Sequence, residues 1–329
     1  MAEWEPQQAV LIAWPHHETD WAPILPAVTE CYRHVAQSIT ADEQLVIVAP
    51  SADEVWAALD GMDLSRISIF EIPTNDTWAR DFGPLAVDVD GATTLLDFTF
   101  NAWGMKFAAD KDNLITQRLT QCNAFNHPVH NHRDMVLEGG SVETDGHGTL
   151  LTTSQCLLSP NRNPWWNRNE IEHQLMMRLG VRKVLWLNHG TVPGDDTDCH
   201  IDTLARLAPN NVIIHGTALP GSEEYAEIGL MIEQLQSFTD ADGKPFRLVA
   251  LPAPAPIIDT NGDRLPATYA NYLITNHHVL VPTYGQPEND QRAIEAIANV
   301  FADRTVLGID CRQLIEQHGS LHCITMQLH

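Results

Sequence analysis

A chain of 329 residues with 44% hydrophobic content can bury a large core, in one large domain or two ordinary ones. Its formal net charge of −24 argues against nucleic acid, which needs clustered Lys and Arg; it would speed encounter with small cations, but solubility alone accounts for it more simply. No apolar run reaches the ~18 residues of a membrane span, and the start MAEWEPQQAVLIAWP lacks a basic segment followed by an apolar one. A cytoplasmic protein without a membrane partner is expected.

In chain order, short β-branched or aliphatic runs bounded by turn residues predict strands over 45–49, 67–72, 93–98, 184–187, 212–215, 247–251, 272–275, 279–282 and 305–309. Between them, amphipathic spacing predicts helices over 23–39, 52–59, 169–179, 223–237 and 288–301. In the last, Ile294, Ile297, Ala298 and Phe301 fall on one face. Asp-Gly and Asn-Gly pairs at 90, 145, 242 and 261 mark turns. Strand and helix alternate throughout, and the one Pro-rich stretch, LPAPAP at 251–256, is too short for a domain linker. A single α/β domain over 1–329 is expected. The six cysteines form no C-x-x-C pair, and a chain this long needs no disulfide staples.

Four segments carry concentrated chemistry. Asn75–Pro84 (NDTWARDFGP) packs two carboxylates, an Arg and a Trp just past a predicted strand, where functional loops lie. Leu137–Ser141 (LEGGS) sets a carboxylate beside two glycines, allowing close approach by a ligand. Asp195–Asp202 crowds four carboxylates around His200; like charges this close repel, so a cation site explains them better than structure does. Gly319–Met326 (GSLHCITM) reads as a loop entering a terminal strand. Neighbours on a strand face opposite ways, so His322 is not the obvious base for Cys323. Taken singly, each segment also fits a plain reading as a structural turn, a solvated loop or a core cysteine. His127, His130 and His132 read as an exposed loop more readily than as a metal site.

A guanidinium would use all these groups. It is planar, cationic and rich in N–H donors, and carboxylates meet it with paired charge-assisted hydrogen bonds. Its carbon is a poor electrophile, so attack calls for a thiolate. The tetrahedral centre formed keeps positive charge and is stabilised by carboxylates, while a His protonates the leaving ammonia and activates water.

In the same order along almost the whole chain, NDTWARDFGP, LEGGS, the Asp-Thr-Asp-x-His-x-Asp segment ending at Asp202 and GSLHC resemble the agmatine deiminase and bacterial peptidyl-arginine deiminase family. TFNAWGMK at 99–106 and GTLLTTSQCLLSPNRNP at 148–164 fit as well. The resemblance implies a pentein fold, a five-bladed pseudo-symmetric α/β propeller, with one module per ~65 residues. It implies Cys323 as nucleophile, His200 as acid and base with Glu138 orienting it, Asp81 and Asp202 as guanidinium clamps, and Trp78 as a channel wall. It implies no cofactor and no metal, and a small cationic guanidino substrate. Agmatine is the first expectation, with arginine and peptidyl-arginine open; the oligomeric state is open too. Two departures stand out. Gln317-His318-Gly319-Ser320 replaces a Gly-Gly-Gly-Asn run, and Cys199 replaces the Gly before the catalytic His. Three alternatives remain. Asp198-x-His200-x-Asp202 also resembles a manganese motif of agmatinases and arginases, though the further ligand segments are absent. A guanidinium-binding protein without turnover and an amidinotransferase are the others.

Overall fold

The computed structural model describes residues 1–329. The chain repeats one module. The first begins with β1 (Ala9–Ala13), followed by α1 (Leu25–Thr40), β2 (Gln44–Ala49), α2 (Ala52–Ala58) and β3 (Ile67–Glu71). The second holds α3 (Ala79–Phe82), β4 (Leu85–Val89), β5 (Ala92–Thr99), α4 (Ala102–Met105), α5 (Ile115–Gln121) and β6 (Val129–Val136). The third opens on a 3-10 turn at Gly139–Ser141, then β7 (Val142–Thr144), β8 (Thr149–Thr153), α6 (Ser154–Leu157), α7 (Arg168–Leu179) and β9 (Lys183–Leu187). The fourth holds α8 (Ile201–Leu204), β10 (Ala205–Ala208), β11 (Val212–His215), α9 (Tyr225–Gln236) and β12 (Arg247–Ala250). The fifth holds β13 (Leu273–Ile274), β14 (His278–Thr283), α10 (Pro287–Ala298) and β15 (Thr305–Asp310); α11 (Arg312–Ile315) and β16 (Thr325–Leu328) end the chain.

In modules two to five the first strand pairs antiparallel with the second, and the second parallel with the third across a helical crossover. The first module lacks its own leading strand. β16 fills that place, pairing antiparallel with β1 from Ala9 against Leu328 to Ile12 against Thr325, in the sheet β16-β1-β2-β3. Five sheets of one design result, the expected five-bladed α/β propeller. The central strands β1, β8 and β11 are buried throughout, which is why their sequences run apolar instead of alternating. No helix is long and apolar enough to cross a membrane.

All the predicted strands and helices are present. β1, β4, β6, β7, β8 and β10 were not foreseen; several are only three to five residues long, too short to show a period. The Pro-rich 251–256 stretch connects β12 to the fifth module. His127, His130 and His132 gather no metal-like group; His127 contacts Gln8, and His132 stacks on Phe98.

Candidate active site

Each module enters its first strand through a tight turn, and these turns converge. Asp81 lies in α3 before β4, Glu138 just before the 3-10 turn that leads to β7, and His200 and Asp202 flank the start of α8 before β10. Asn271 precedes β13, and Cys323 precedes β16. Asp81, Glu138, His200, Asp202, Asn271 and Cys323 are all buried. The expected site residues are therefore brought together, one or two from each of four modules, and Asn271 completes the set from the fifth.

The glycines of LEGGS make room for this convergence. A Cβ on Gly140 would lie 2.6 Å from His200 Nδ1 and 2.8 Å from Asp81 Oδ1, and one on Gly139 would strike the Arg80 carbonyl. The close approach inferred from sequence is thus by the site's own side chains. Gly140 also donates its N–H to Asp81 Oδ1 at 2.9 Å.

Cys323 Sγ lies 3.4 Å from Asn271 Oδ1 and 4.0 Å from Asp202 Oδ2. Burial, then the charges of Asp202 and Asp81, push its thiol well above the usual cysteine range. Asp202 Oδ2 accepts from His322 Nδ1 at 2.7 Å and Asn271 Nδ2 at 3.2 Å. Burial would raise Asp202, but the hydrogen bond and charge of His322 hold it below the ordinary carboxylate range. Its Oδ1 is buried with no partner. The His322 ring thus addresses the Asp202 carboxylate and not Cys323.

His200 Nδ1 sits 3.6 Å from Asp81 Oδ1. Burial would lower His200, yet its neighbours, the charge of Asp81 foremost, raise it well above its usual range. Its Nε2 is buried without a partner. Asp81 is raised by burial despite His200, and its Oδ2 accepts from Trp103 Nε1 at 2.9 Å. The carboxylate nearest His200 is thus Asp81. Glu138 lies within 4.8 Å of His200, but both its oxygens are held by Arg162 Nε at 2.9 and 3.0 Å.

The crowded acidic loop resolves into separate tasks. Asp195 ties its own turn, accepting from Cys199 N–H at 2.7 Å. Asp198 pairs with Arg162 at 2.6 Å and Lys106 at 2.8 Å. Two of the four carboxylates therefore have the structural purpose that the sequence did not reveal, and Asp198, His200 and Asp202 do not converge as metal ligands. Elsewhere, Glu138, Cys156 and His200 form one cluster of donor atoms, and Glu3, Glu143 and His322 another. Each already faces a protein cation: Arg162 on Glu138, and Arg206 on both Glu3 and Glu143.

A cavity of about 200 Å³ opens outward from Cys323 and Asp81. Trp78, Trp103 and Phe107 wall it. Trp78 is fixed by its Nε1 donating to Asp76 Oδ2 at 2.9 Å and by packing on Trp21. Gly319 lies so close beneath the Trp78 ring that an added Cβ would overlap it. Further out the cavity meets Asp20, Asp76 and Asp196, and neither Lys nor Arg lines it. Burial pushes Asp76 up to about 6. Where the sequence departs from the glycines of the motifs it resembles, the backbone still takes the glycine conformation: Cys199 has φ 63° and His318 φ 65°.

Sequence reasoning missed Asn271, Trp103, Arg162 and His322 as site residues. Trp103 and Arg162 lie in the TFNAWGMK and NRNP stretches, which carried resemblance without a role. Asn271, within ATYANYL, had no signal beyond standing before a strand as Asp202 does.

A family model for the Porphyromonas-type peptidyl-arginine deiminases matches residues 1–328. The chain belongs to that family. It is a hydrolase of carbon–nitrogen bonds in linear amidines, and its group acts on guanidino compounds. A Shewanella baltica (strain OS185) relative, provisionally named an agmatine deiminase, is 32% identical over 99% of this chain and 93% of its own. A solved structure from Porphyromonas gingivalis, provisionally called an arginine deiminase, is 48% identical with a TM-score of 0.94, covering 99% of this chain and 97% of that one. A cysteine-to-serine variant of the C. jejuni agmatine deiminase, solved with substrate bound, is 34% identical with a TM-score of 0.93, covering 100% of this chain and 95% of that one.

Proposed function

We propose that this enzyme hydrolyses agmatine to N-carbamoylputrescine and ammonia through a covalent bond to Cys323. One observation carries the choice of substrate: the cavity above Cys323 is acidic to its mouth and holds no Lys or Arg. A guanidinium bound between Asp81 and Asp202 would direct agmatine's terminal ammonium toward Asp20, Asp76 and Asp196. The α-carboxylate of free arginine would meet those same carboxylates with no cation to receive it.

Asp202 Oδ1, a buried acceptor without a donor, takes a guanidinium N–H, and Asp81 takes another. The substrate's charge offsets the two carboxylates that hold the Cys323 proton on, so when substrate arrives the thiol yields that proton to water and the thiolate forms; the proton ends on the released ammonia, as ammonium. The thiolate adds to the guanidinium carbon. His200, whose hold on its proton Asp81 strengthens, gives that proton to one NH₂ group, which leaves as ammonia. The S-alkylthiouronium left on Cys323 is attacked by water, which yields a proton to His200. The C–S bond then breaks as the hydroxyl proton passes to sulfur, returning the thiol and releasing the N-substituted urea. Asn271 fixes the nucleophile and Trp103 fixes Asp81, by the hydrogen bonds already described.

The test is a product assay with agmatine, arginine and an arginyl peptide, each with and without EDTA. Ammonia and N-carbamoylputrescine, formed fastest from agmatine, insensitive to EDTA and lost in Cys323→Ala, are expected. Preferred turnover of arginine or peptide overturns the substrate. Urea production abolished by EDTA overturns the mechanism.

A further inference from the structure

The N-terminal segment reaches the ring of turns, where Glu3 and His322 line a cavity distinct from the one that Cys323 and Asp81 line. Gln7 Nε2 donates to the Ile274 carbonyl at 2.9 Å, and Gln7 N–H donates to Asn276 Oδ1 at 3.0 Å. This anchoring places Glu3 inside. Its Oε1 accepts the Ile274 N–H at 2.9 Å, and its Oε2 meets both the Arg206 guanidinium and, at 2.8 Å, His322 Nε2. The other His322 nitrogen donates to Asp202 Oδ2 at 2.7 Å. Arg206 is shared between Glu3 and Glu143. His322 is 1% exposed and Asp202 fully buried.

The two ring nitrogens of His322 each face a carboxylate oxygen, Nδ1 that of Asp202 and Nε2 that of Glu3. A chain of hydrogen bonds then runs from Arg206 through Glu3 and His322 to Asp202. It ends on one oxygen of that carboxylate and leaves the other, Oδ1, facing no protein donor. The charged groups around His322 are Glu3, Asp202, Arg206, Glu143 and Arg80, drawn from the N-terminal segment and three modules.

We infer that Glu3 and His322 are positioning residues that brace Asp202 from behind, so that Asp202 presents Oδ1 to the guanidinium. The inference rests on the deiminase reading above, in which Asp202 receives substrate. The brace explains why His322 sits beside the nucleophile without contacting it. Losing it leaves the carboxylate in place by Asn271 alone, free to turn, and a loosely held clamp slows turnover even when the nucleophile is intact.

The experiment is a double-mutant cycle on kcat/KM for agmatine, using Glu3→Gln, His322→Asn and Asp202→Asn in the full-length protein. Glu3→Gln keeps the size and the bond from Ile274 N–H but loses the charge. His322→Asn keeps a donor near the Nδ1 position but cuts the link to Glu3. Each should lower kcat/KM about 10-fold or more in the parent, and change it less than 2-fold on the Asp202→Asn background. His322→Ala should fall further than His322→Asn, the partial rescue marking the donor to Asp202. Alkylation of Cys323 by iodoacetamide should keep its parental rate in Glu3→Gln, which excludes a general collapse of the site. Additive losses on the Asp202→Asn background, or full activity in Glu3→Gln, overturn the inference while the parent remains active. Absence of turnover of any guanidino compound by the parent removes the deiminase reading, and the inference with it.

Discussion

Single atoms decide much of the site, and Gly140 is the sharpest case. Its Cα stands where a methyl would press on His200, Asp81 and, at 3.2 Å, Asp202 at once. Gly140→Ala should lower kcat about 100-fold, the scale of a misplacement of about 1 Å, while the overpacking costs about 1–3 kcal/mol of stability. Steady-state kinetics beside urea denaturation would check it; unchanged kcat would mean the three groups need not be so close. Asp76 gives a pH signature. Burial raises it to about 6, so it is anionic above that pH and neutral below. If it receives the substrate's far ammonium, KM for agmatine should rise about 10-fold, or about 1.4 kcal/mol, between pH 7 and pH 5. Asp76→Asn should raise KM at pH 7 and flatten this dependence. A parental KM profile in that variant would remove Asp76 from the substrate's path.

The elements show which parts could be read from the sequence. β2, β11 and β14 carry aliphatic runs long enough to declare themselves, and α10 shows its buried face in Ala293 and Ile297. The leading strands β7 and β10 do not, because each is only three or four residues long and is defined by its partner, not by its own pattern. The site was legible where a motif packed its chemistry locally, as around Asp81 and His200. It was illegible where the fold joins distant segments, as Glu3 to His322. The NDTW loop illustrates this dependence. Asp112 accepts the N–H groups of Asn75 at 2.6 Å and Asp76 at 3.0 Å, and Asn75 Oδ1 returns bonds to the Lys111 and Asp112 N–H groups. Asp112→Ala would orphan two loop N–H groups. It should cost about 2 kcal/mol of stability and raise KM through Asp76 and Trp78. Denaturant titration together with kinetics would check both; a stability loss without a KM change would separate the loop from substrate binding.

At the scale of the molecule, the design is five alike modules that each send a turn to one centre. No module holds enough groups for the proposed chemistry. Asp81, His200 and Cys323 come from three different sheets, and Cys323 enters only because β16 pairs with β1. The hydrogen bond from Gln8 N–H to the Leu328 carbonyl and that between His329 Nδ1 and the Pro6 carbonyl bring both chain ends to the same edge. In such a ring the position of the ends is a matter of numbering rather than of architecture. A circular permutant should therefore work: a flexible linker of about ten residues joining His329 to Met1, and new termini at the exposed turn of Asn261 and Gly262 between the fourth and fifth modules. Deiminase activity within a few-fold of the parent would show that the site belongs to the closed circle. An inactive but folded permutant would show that it depends on the order in which the strands are laid down.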